Sequence, residues 1–520
     1  MERLASKLCV IAGERNVSTD AAECDYFAQD VFTRDTPAGV VVAPGDTEQL
    51  AAVVAEAVRA GRAVVPRGGG MSYTSGYVPS EAQSVLLDMR RMNRVLEINR
   101  ADMYVRVEAG ITWQALHEAL LEHGLKTPYW GTLSGRYATV GGSLSQNSIF
   151  WGSGRHGSAA DAVISMEVVL ADGSLLNTGS AAQKHARPFF RHFGPDLTGL
   201  FTGDGGALGV KATITLKLLP QAAEHGFGSF AFEGYPEMCA AMSEIARRDL
   251  VTECFGFDPY LQSQRMKRES LAKDASQFVG VLKSAGGVGQ AIRDGAKTAM
   301  AGRRFMDDVR WSFHVMCEER TADAAKAARD EAAKIVIAHG GRELPDSIPR
   351  VVRANPFGPV NNMLGPEGER WVPVHGLVPH SQAVSAIDRV EAVFNRHRDG
   401  LEKFDIHTAY LLATVGTSCF VVEPVFFWPD AIEEMHRRSV EPDHLKRLKG
   451  FPAQPEARAL VTRIKDELAE LFSAMGAVHL QVGKAYHYRQ GLRPEPLGMV
   501  RAIKSYVDPE NRMNPGCLGL

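Results

Sequence analysis

Short apolar runs and stretches of helical periodicity alternate along the first two-fifths of the chain. Val40-Val41-Val42-Ala43-Pro44 reads as a strand that stops at proline, which cannot donate to a ladder. Asp46 or Thr47 is placed to cap a helix from Glu48 to Ala60, where Leu50, Val53, Val54 and Val58 recur at helical spacing and Gly61 ends the run. Ala63-Val64-Val65 is a short buried strand that runs into glycine. Ser84 to Leu87 and Tyr104 to Glu108 read as strands, and Trp113 to Glu122 as a helix. Val163 to Leu170 is a strongly apolar strand closed by the hairpin-type turn Ala171-Asp172-Gly173, and Lys211 to Leu219 is an alternating strand. Residues 1–35 read as a polar lead-in with a few apolar anchors.

Beyond residue 220 the rhythm becomes strand, helix, strand. Phe227 to Phe232, a helix Tyr235 to Arg248, and Glu253 to Phe257 form one unit. Trp311 to Cys317 with helix Ala322 to His339 forms a half-unit, and Trp371 to Leu377, helix Ser381 to His397 and Ile406 to Val415 repeat it. This pattern predicts an antiparallel sheet covered on one face by helices, a second domain over residues 221–480. Leu261 to Phe305 interrupts it with nine Lys or Arg against three Asp or Glu. Such a run is a solvated insertion or a docking surface for a membrane or an electron-acceptor protein.

Composition narrows the classes. A chain of 520 residues with 45% hydrophobic and 23% charged residues is ordinary multi-domain globular material, and its net charge of −3 gives no reason to expect nucleic acid. The seven cysteines are scattered with no Cys-x-x-Cys, which argues against a disulfide framework, a zinc site or an iron–sulfur cluster and for reduced, cytoplasmic thiols. No run is apolar and long enough to be an integral membrane segment, and the N-terminus lacks a signal-peptide core.

The chemistry gathers in glycine. Pro66-Arg67-Gly68-Gly69-Gly70-Met71-Ser72 follows a strand, and glycine lets backbone approach a ligand closely. Successive amides in such a turn make an anion-binding concavity. A second stretch runs Thr139-Val140-Gly141-Gly142-Ser143 to Gln146-Asn147, a third begins at Gly152, and a fourth spans Gly203 to Val210 with Gly206 and Gly209. Four such clusters suggest one long phosphate-bearing cofactor threaded between backbone segments. A later cluster, Gln481-Val482-Gly483-Lys484-Ala485-Tyr486-His487-Tyr488-Arg489, sets a phenol beside a guanidinium, a pairing that can hold an oxyanion.

In this order the motifs resemble the vanillyl-alcohol oxidase, or PCMH-type, FAD-linked oxidase superfamily. Val507-Asp508-Pro509 to Asn514-Pro515-Gly516 resembles its C-terminal signature. The resemblance implies an α+β architecture: a PCMH-type FAD-binding domain of two α+β subdomains over 1–220, an antiparallel-sheet substrate or cap domain over 221–480, and a segment 481–520 returning to the FAD domain. It implies FAD held by residues 66–72, by Thr139 to Ser143, Gln146, Asn147, Gly152, Gly206, Gly209 and Val210, and by Asn514. Met71 stands where some members carry a flavin-linking histidine, and Gly135-Arg136-Tyr137-Ala138 lacks the cysteine that others use. FAD is therefore expected to be non-covalent, or linked once through His375.

The same resemblance makes Tyr488 and Arg489 the substrate anchors, with Ser158 or Asp161 near the flavin and His156 or His487 as fallback bases. The expected reaction removes a hydride from a hydroxyl-bearing or benzylic carbon of a small organic substrate, favoured as a para-substituted phenol or aromatic alcohol. Phe426, Phe427 and Trp428 offer aromatic surface for such a substrate or core packing. A D-lactate or other D-2-hydroxy-acid dehydrogenase is the alternative, suggested by Asp196 to Val210, although the region Thr417 to Trp428 lacks that branch's histidine-rich metal stretch and no metal is expected. A non-catalytic FAD-holding subunit is a third reading. The electron acceptor (oxygen, quinone or cytochrome) stays open, as does a homodimer.

Overall fold

A computed structural model describes residues 1–266 and 309–520. The greater part of the basic stretch Leu261 to Phe305 lies outside the described residues. The chain divides into two compact units: Met1–Ile149, Ser158–Gln221 and His479–Leu520 form the first, and Phe150–Gly157 with Ala222–Val478 the second.

The first unit is built on two sheets. Strands β1 (Val17–Ser18), β2 (Val40–Val42), β3 (Val64–Arg67) and β4 (Val85–Asp88) pair in the order β1-β2-β4-β3, with β2 and β3 both parallel to β4. Helix Thr47–Arg59 connects β2 to β3 and is capped as its sequence predicts, the Asp46 carboxylate accepting from the Gln49 amide at 2.8 Å. Its Leu50, Val53, Val54 and Ala57 are fully buried against the sheet.

The polar lead-in expected over residues 1–35 is instead a structured part of this core. Glu2–Ala12 is a helix whose Leu4, Leu8 and Ala12 pack into the same cluster as Val53 and Val85. Its apolar positions are spaced for one buried face, but alanine and serine dilute the signal.

The second sheet is antiparallel. Strands β5 (Val95–Asn99), β6 (Tyr104–Glu108), β8 (Val163–Val169), β9 (Leu175–Asn177) and β10 (Val210–Lys217) run in the order β5-β6-β10-β8-β9, while β7 (Leu125–Lys126) and β11 (Leu219–Pro220) form a separate ribbon. The end of the chain returns beside β3: the Val64 amide reaches the Arg512 carbonyl and the Asn514 amide the Val64 carbonyl, both at 2.8 Å.

The second unit is one eight-stranded antiparallel sheet. Its strands are β12 (Glu224–Phe232), β13 (Glu253–Phe257), β14 (Trp311–Glu319), β15 (Arg342–Leu344), β16 (Arg370–Pro373), β17 (Gly376–Pro379), β18 (His407–Val415) and β19 (Cys419–Trp428), ordered β15-β12-β14-β13-β18-β19-β16 with β17 also on β19. Helices Tyr235–Arg247, Ala322–Ala338 and Ala383–Arg396 pack on it, and Pro455–Ala474 packs on Ala383–Arg396. Two features depart from the sequence expectation. β13 and the middle of β14 are buried on both faces rather than one, since residues 150–157 lie against β13 and β18. The strand expected over Trp371 to Leu377 is two strands, broken at Val374 and His375, where the Val374 amide reaches the Pro424 carbonyl at 2.9 Å.

Candidate functional site

In the first unit the glycine loops press against one another. A Cβ on Gly69 would stand 1.9 Å from the Tyr137 carbonyl oxygen, and one on Gly206 would stand 2.5 Å from Pro66 Cγ, at a φ of +79°. No larger residue fits either approach without moving backbone or a proline ring. The loop after β3 is thereby clamped between the segment leading to Thr139 and the loop of residues 203–209.

Along that clamped loop the amides are free. Among the described residues, the N–H groups of Gly68, Gly69, Gly70, Met71 and Ser72 donate to no protein acceptor. Beneath them Arg67 is 1% exposed, and its guanidinium nitrogens have no hydrogen-bond partner. The guanidinium carbon lies 5.3, 4.9 and 5.4 Å from the ring centroids of Tyr26, Phe27 and Tyr77. The rings stabilise the cation without neutralising it. A buried, uncompensated cation under a row of free amides suits the two charges of a pyrophosphate, so these residues fit a dinucleotide such as FAD.

The other expected cofactor residues also hold the loops together. Thr139 caps the short helix Val140–Gln146, its hydroxyl accepting from the Gly142 amide at 3.2 Å. The amides of Val140 and Gly141 donate to the carbonyls of Ile111 and Ala109, each at 2.8 Å. The Ser143 hydroxyl accepts from the Trp113 indole at 2.7 Å, the Gln146 carbonyl accepts from the Gln481 amide at 2.6 Å, and Asn147 Oδ1 accepts from the Ala160 amide at 3.2 Å. Gly209 immediately precedes the buried β10, which Val210 begins. Asn514 is fully buried and donates from Nδ2 to the carbonyls of Gly76 (2.6 Å) and Gly205 (2.7 Å), stapling the exit of the first loop to the last one.

Two buried ion pairs, unforeseen in the sequence, complete the frame. Lys211 Nζ lies 2.6 Å from Asp204 Oδ1 with both side chains out of solvent. Lys504 Nζ reaches Asp508 Oδ2 (2.6 Å), the Ala207 carbonyl (2.7 Å) and the Met513 carbonyl (2.9 Å), and Asp508 accepts from the amides of Arg512 and Met513. The only sequence signal for them is that Lys504 and Asp508 are four residues apart.

The C-terminal cluster also lies in the first unit. Tyr488 and Arg489 open the short helix Tyr488–Gly491, with His487 at its cap. Tyr488 is half-buried against Ala207, Cys517 and Leu518, and burial raises its phenol above the usual range. Arg489 is exposed and donates from Nη1 to the Gly519 carbonyl at 3.2 Å. Lys484, named only as part of a run, is the more buried cation. Its amine donates to the Val78 carbonyl at 2.6 Å, and burial pushes its pKa down to about 8. Ser158 and Asp161 are occupied locally: Asp161 Oδ2 accepts from the Ser158 amide (2.8 Å) and hydroxyl (2.9 Å), closing a capping box.

In the second unit, Gly152 gives its amide to Glu253 Oε1 at 2.7 Å, so that amide is not open to a phosphate. His375 is buried at the break between β16 and β17, and His156 ends the one-turn helix Ser153–His156. Phe426, Phe427 and Trp428 are buried core on β19, the Trp428 indole donating to Asp430 Oδ2 at 3.1 Å.

This is the frame of a flavin-dinucleotide protein, and comparison with known proteins agrees. Residues 38–179 match the FAD binding domain family. Curated relatives include the glycolate oxidase subunit GlcD of Bacillus subtilis, 32% identical over 181 residues (35% of this chain, 37% of the relative). The D-2-hydroxyglutarate dehydrogenase of Xanthomonas citri pv. viticola is 31% identical over 204 residues (39% and 41%). The D-lactate dehydrogenase of Archaeoglobus fulgidus is 30% identical over 233 residues (45% and 50%). The chain thus aligns with half or less of the length of each of these relatives.

Among solved structures, p-cresol methylhydroxylase with substrate bound superposes with a TM-score of 0.74 at 17% identity, covering 100% of this chain and 96% of the other. An alkyldihydroxyacetonephosphate synthase gives 0.70 at 15% identity, covering 99% and 84%. The chain therefore carries a FAD-binding domain, its cofactor is FAD, and it shares its fold, including the second, antiparallel-sheet domain, with p-cresol methylhydroxylase.

Proposed function

We propose that the protein is an FAD-dependent oxidoreductase that removes a hydride from a hydroxyl-bearing or benzylic carbon of a small organic substrate carrying an anionic end. The observation that carries this reading is the Tyr488–Arg489 pair. One nitrogen of the exposed Arg489 guanidinium is fixed by the Gly519 carbonyl, which leaves the rest of its donor fork free, and the half-buried Tyr488 precedes it in the chain. A fixed fork with an adjacent hydroxyl suits a phenolate oxygen or a carboxylate. When bound, FAD supplies the hydride acceptor. The chain's own part is to anchor the substrate's oxyanion at Arg489 and Tyr488 and to take the proton released at the reacting carbon. Ser158 and Asp161 are held in their cap, so His487, at the start of the same helix as the anchors, is the proposed proton acceptor.

A para-substituted phenol or aromatic alcohol is the favoured substrate, since a half-buried tyrosine beside the arginine suits an aromatic oxyanion. A D-2-hydroxy acid is the second reading, supported by the names of the curated relatives. Anaerobic addition of para-alkyl phenols and aromatic alcohols in one series, and D-2-hydroxy acids in another, to the FAD-loaded protein separates them. Bleaching of the flavin by the first series alone supports the phenolic reading. Bleaching by the second alone replaces it with the hydroxy-acid one, and bleaching by neither refutes both.

A further inference from the structure

The loop of residues 183–196 in the first unit carries Phe189, Phe190 and Phe193, which are 59%, 51% and 50% exposed. A single exposed phenylalanine is unremarkable, but three within five residues form an apolar patch that water penalises. The loop holding them is pinned. Ser180, itself buried, donates from Oγ to the Arg187 carbonyl at 2.6 Å, and the same oxygen accepts from the amides of Phe189 (3.0 Å) and Phe190 (3.1 Å). The Ser180 amide donates to the Phe190 carbonyl at 2.7 Å. At the far end Arg191 Nη2 grips Asp196 Oδ2 at 2.8 Å, and the Gly199 amide donates to Asp196 Oδ1 at 3.0 Å. The rings are therefore presented outward on a fixed backbone, with most of the ordering cost already met before any partner arrives.

Two exposed cations precede the rings, and a third, Arg191, lies between them. Lys184, Arg187 and Arg191 face one acid within the loop, Asp196, which Arg191 already engages, while the chain as a whole carries a net charge of −3. Lys184 and Arg187 are exposed, and Arg187 has only a long contact of 3.5 Å to Asp102. A locally basic loop on a weakly acidic protein, with bare aromatic rings between the charges, complements a surface that is anionic outside and apolar just beneath.

We propose that residues 183–196 dock the protein on an anionic lipid bilayer. The phenylalanine rings enter the boundary between headgroups and acyl chains, and Lys184 and Arg187 meet the lipid phosphates. This is surface attachment and requires no membrane-spanning segment; among the described residues no helix is long and apolar enough to cross a membrane.

The test is co-sedimentation of the full, FAD-loaded chain with vesicles of phosphatidylcholine alone or mixed with phosphatidylserine. The protein should pellet with the mixed vesicles, and the pelleted fraction should fall as salt rises. K184Q/R187Q should lower the partition coefficient about tenfold or more, each cation being worth roughly fivefold near such a surface. F189S/F190S/F193S should abolish pelleting while FAD content and melting temperature hold. If the triple variant loses its FAD, the single variants F189S and F193S, each weakening partition severalfold, carry the test. Wild-type protein that stays in the supernatant with both vesicle types overturns the proposal. So does unchanged pelleting of the phenylalanine variants, or an effect of those variants on oligomeric state without one on pelleting.

Discussion

Lys504 and Asp508 lie one helical turn apart with Nζ 2.6 Å from Oδ2, and this buried pair joins the C-terminal segment to a glycine loop nearly three hundred residues earlier. All three protons of the ammonium are used, two of them on the carbonyls of Ala207 and Met513. Removing the lysine leaves the buried Asp508 carboxylate with only the Arg512 and Met513 amides to offset its desolvation. Lys504→Met should therefore cost about 3–5 kcal/mol of stability. Urea unfolding checks the loss, and bound-flavin absorbance should show that FAD leaves with it.

Arg67 gives the opposite expectation for stability. Its guanidinium is buried among three rings with no hydrogen-bond partner, so the cofactor-free fold bears its desolvation cost. Arg67→Met keeps much of the volume and removes the charge. The apo protein should be as stable as wild type or more so, while the dissociation constant for FAD rises about tenfold or more, ~1.4 kcal/mol. Fluorescence titration of apoprotein with FAD, beside a thermal melt, reads both quantities. Equal FAD affinity in the variant would remove Arg67 from the cofactor site.

Gly69→Ala tests the clamp between loops. Its Cβ would meet the Tyr137 carbonyl at 1.9 Å, so the first glycine loop must shift away from Thr139. A displaced loop takes its free amides with it. FAD content after purification should fall to a small fraction of wild type, with circular dichroism of the two sheets retained.

Arg489→Ala should leave FAD content intact, since the guanidinium is exposed and bonded only to the Gly519 carbonyl among described groups. Loss of a charged hydrogen bond to an anionic substrate is worth roughly 1.5–3 kcal/mol, so kcat/KM should drop about ten- to a hundredfold. FAD loss without a substrate effect would contradict the anchoring role.

Lys484 makes stability depend on alkaline pH. Burial lowers its pKa from 10.5 to about 8, so between these values the unfolded chain binds the extra proton and the folded one does not. Stability should rise as pH increases from about 8 toward 10.5, and the burial penalty should be fully present below 8. Lys484→Met should flatten that slope and stabilise the protein at pH 7. Melts across this range, on wild type and variant, measure it.

The local elements were legible where a period was strong. The strands at Val40, Val64, Tyr104 and Glu253 and the helix from Thr47 announce themselves by β-branched or aromatic residues, helical spacing and a capping aspartate. The first helix is hard to read because Ala5, Ser6 and Ala12 blur its apolar face, and the break at Val374 and His375 leaves no mark in hydrophobicity. The glycine motifs were visible as anion cradles, yet much of their use is steric: Gly69 and Gly206 admit a neighbouring loop.

What the sequence determined by itself is local chemistry: which segments pair or coil, that successive free amides follow β3, and that the chain is built for a phosphate-bearing cofactor. Tertiary structure alone decided which partners the named residues take. It gave Thr139, Ser143, Asn147, Gly152, Ser158 and Asp161 to internal hydrogen bonds, left Arg67 as a bare buried cation, and brought Lys504 to Ala207 and Asn514 to Gly205. The physical reason is that a hydrogen-bonding group shows its type in the sequence but finds its partner only by chain return, across separations that no local period encodes.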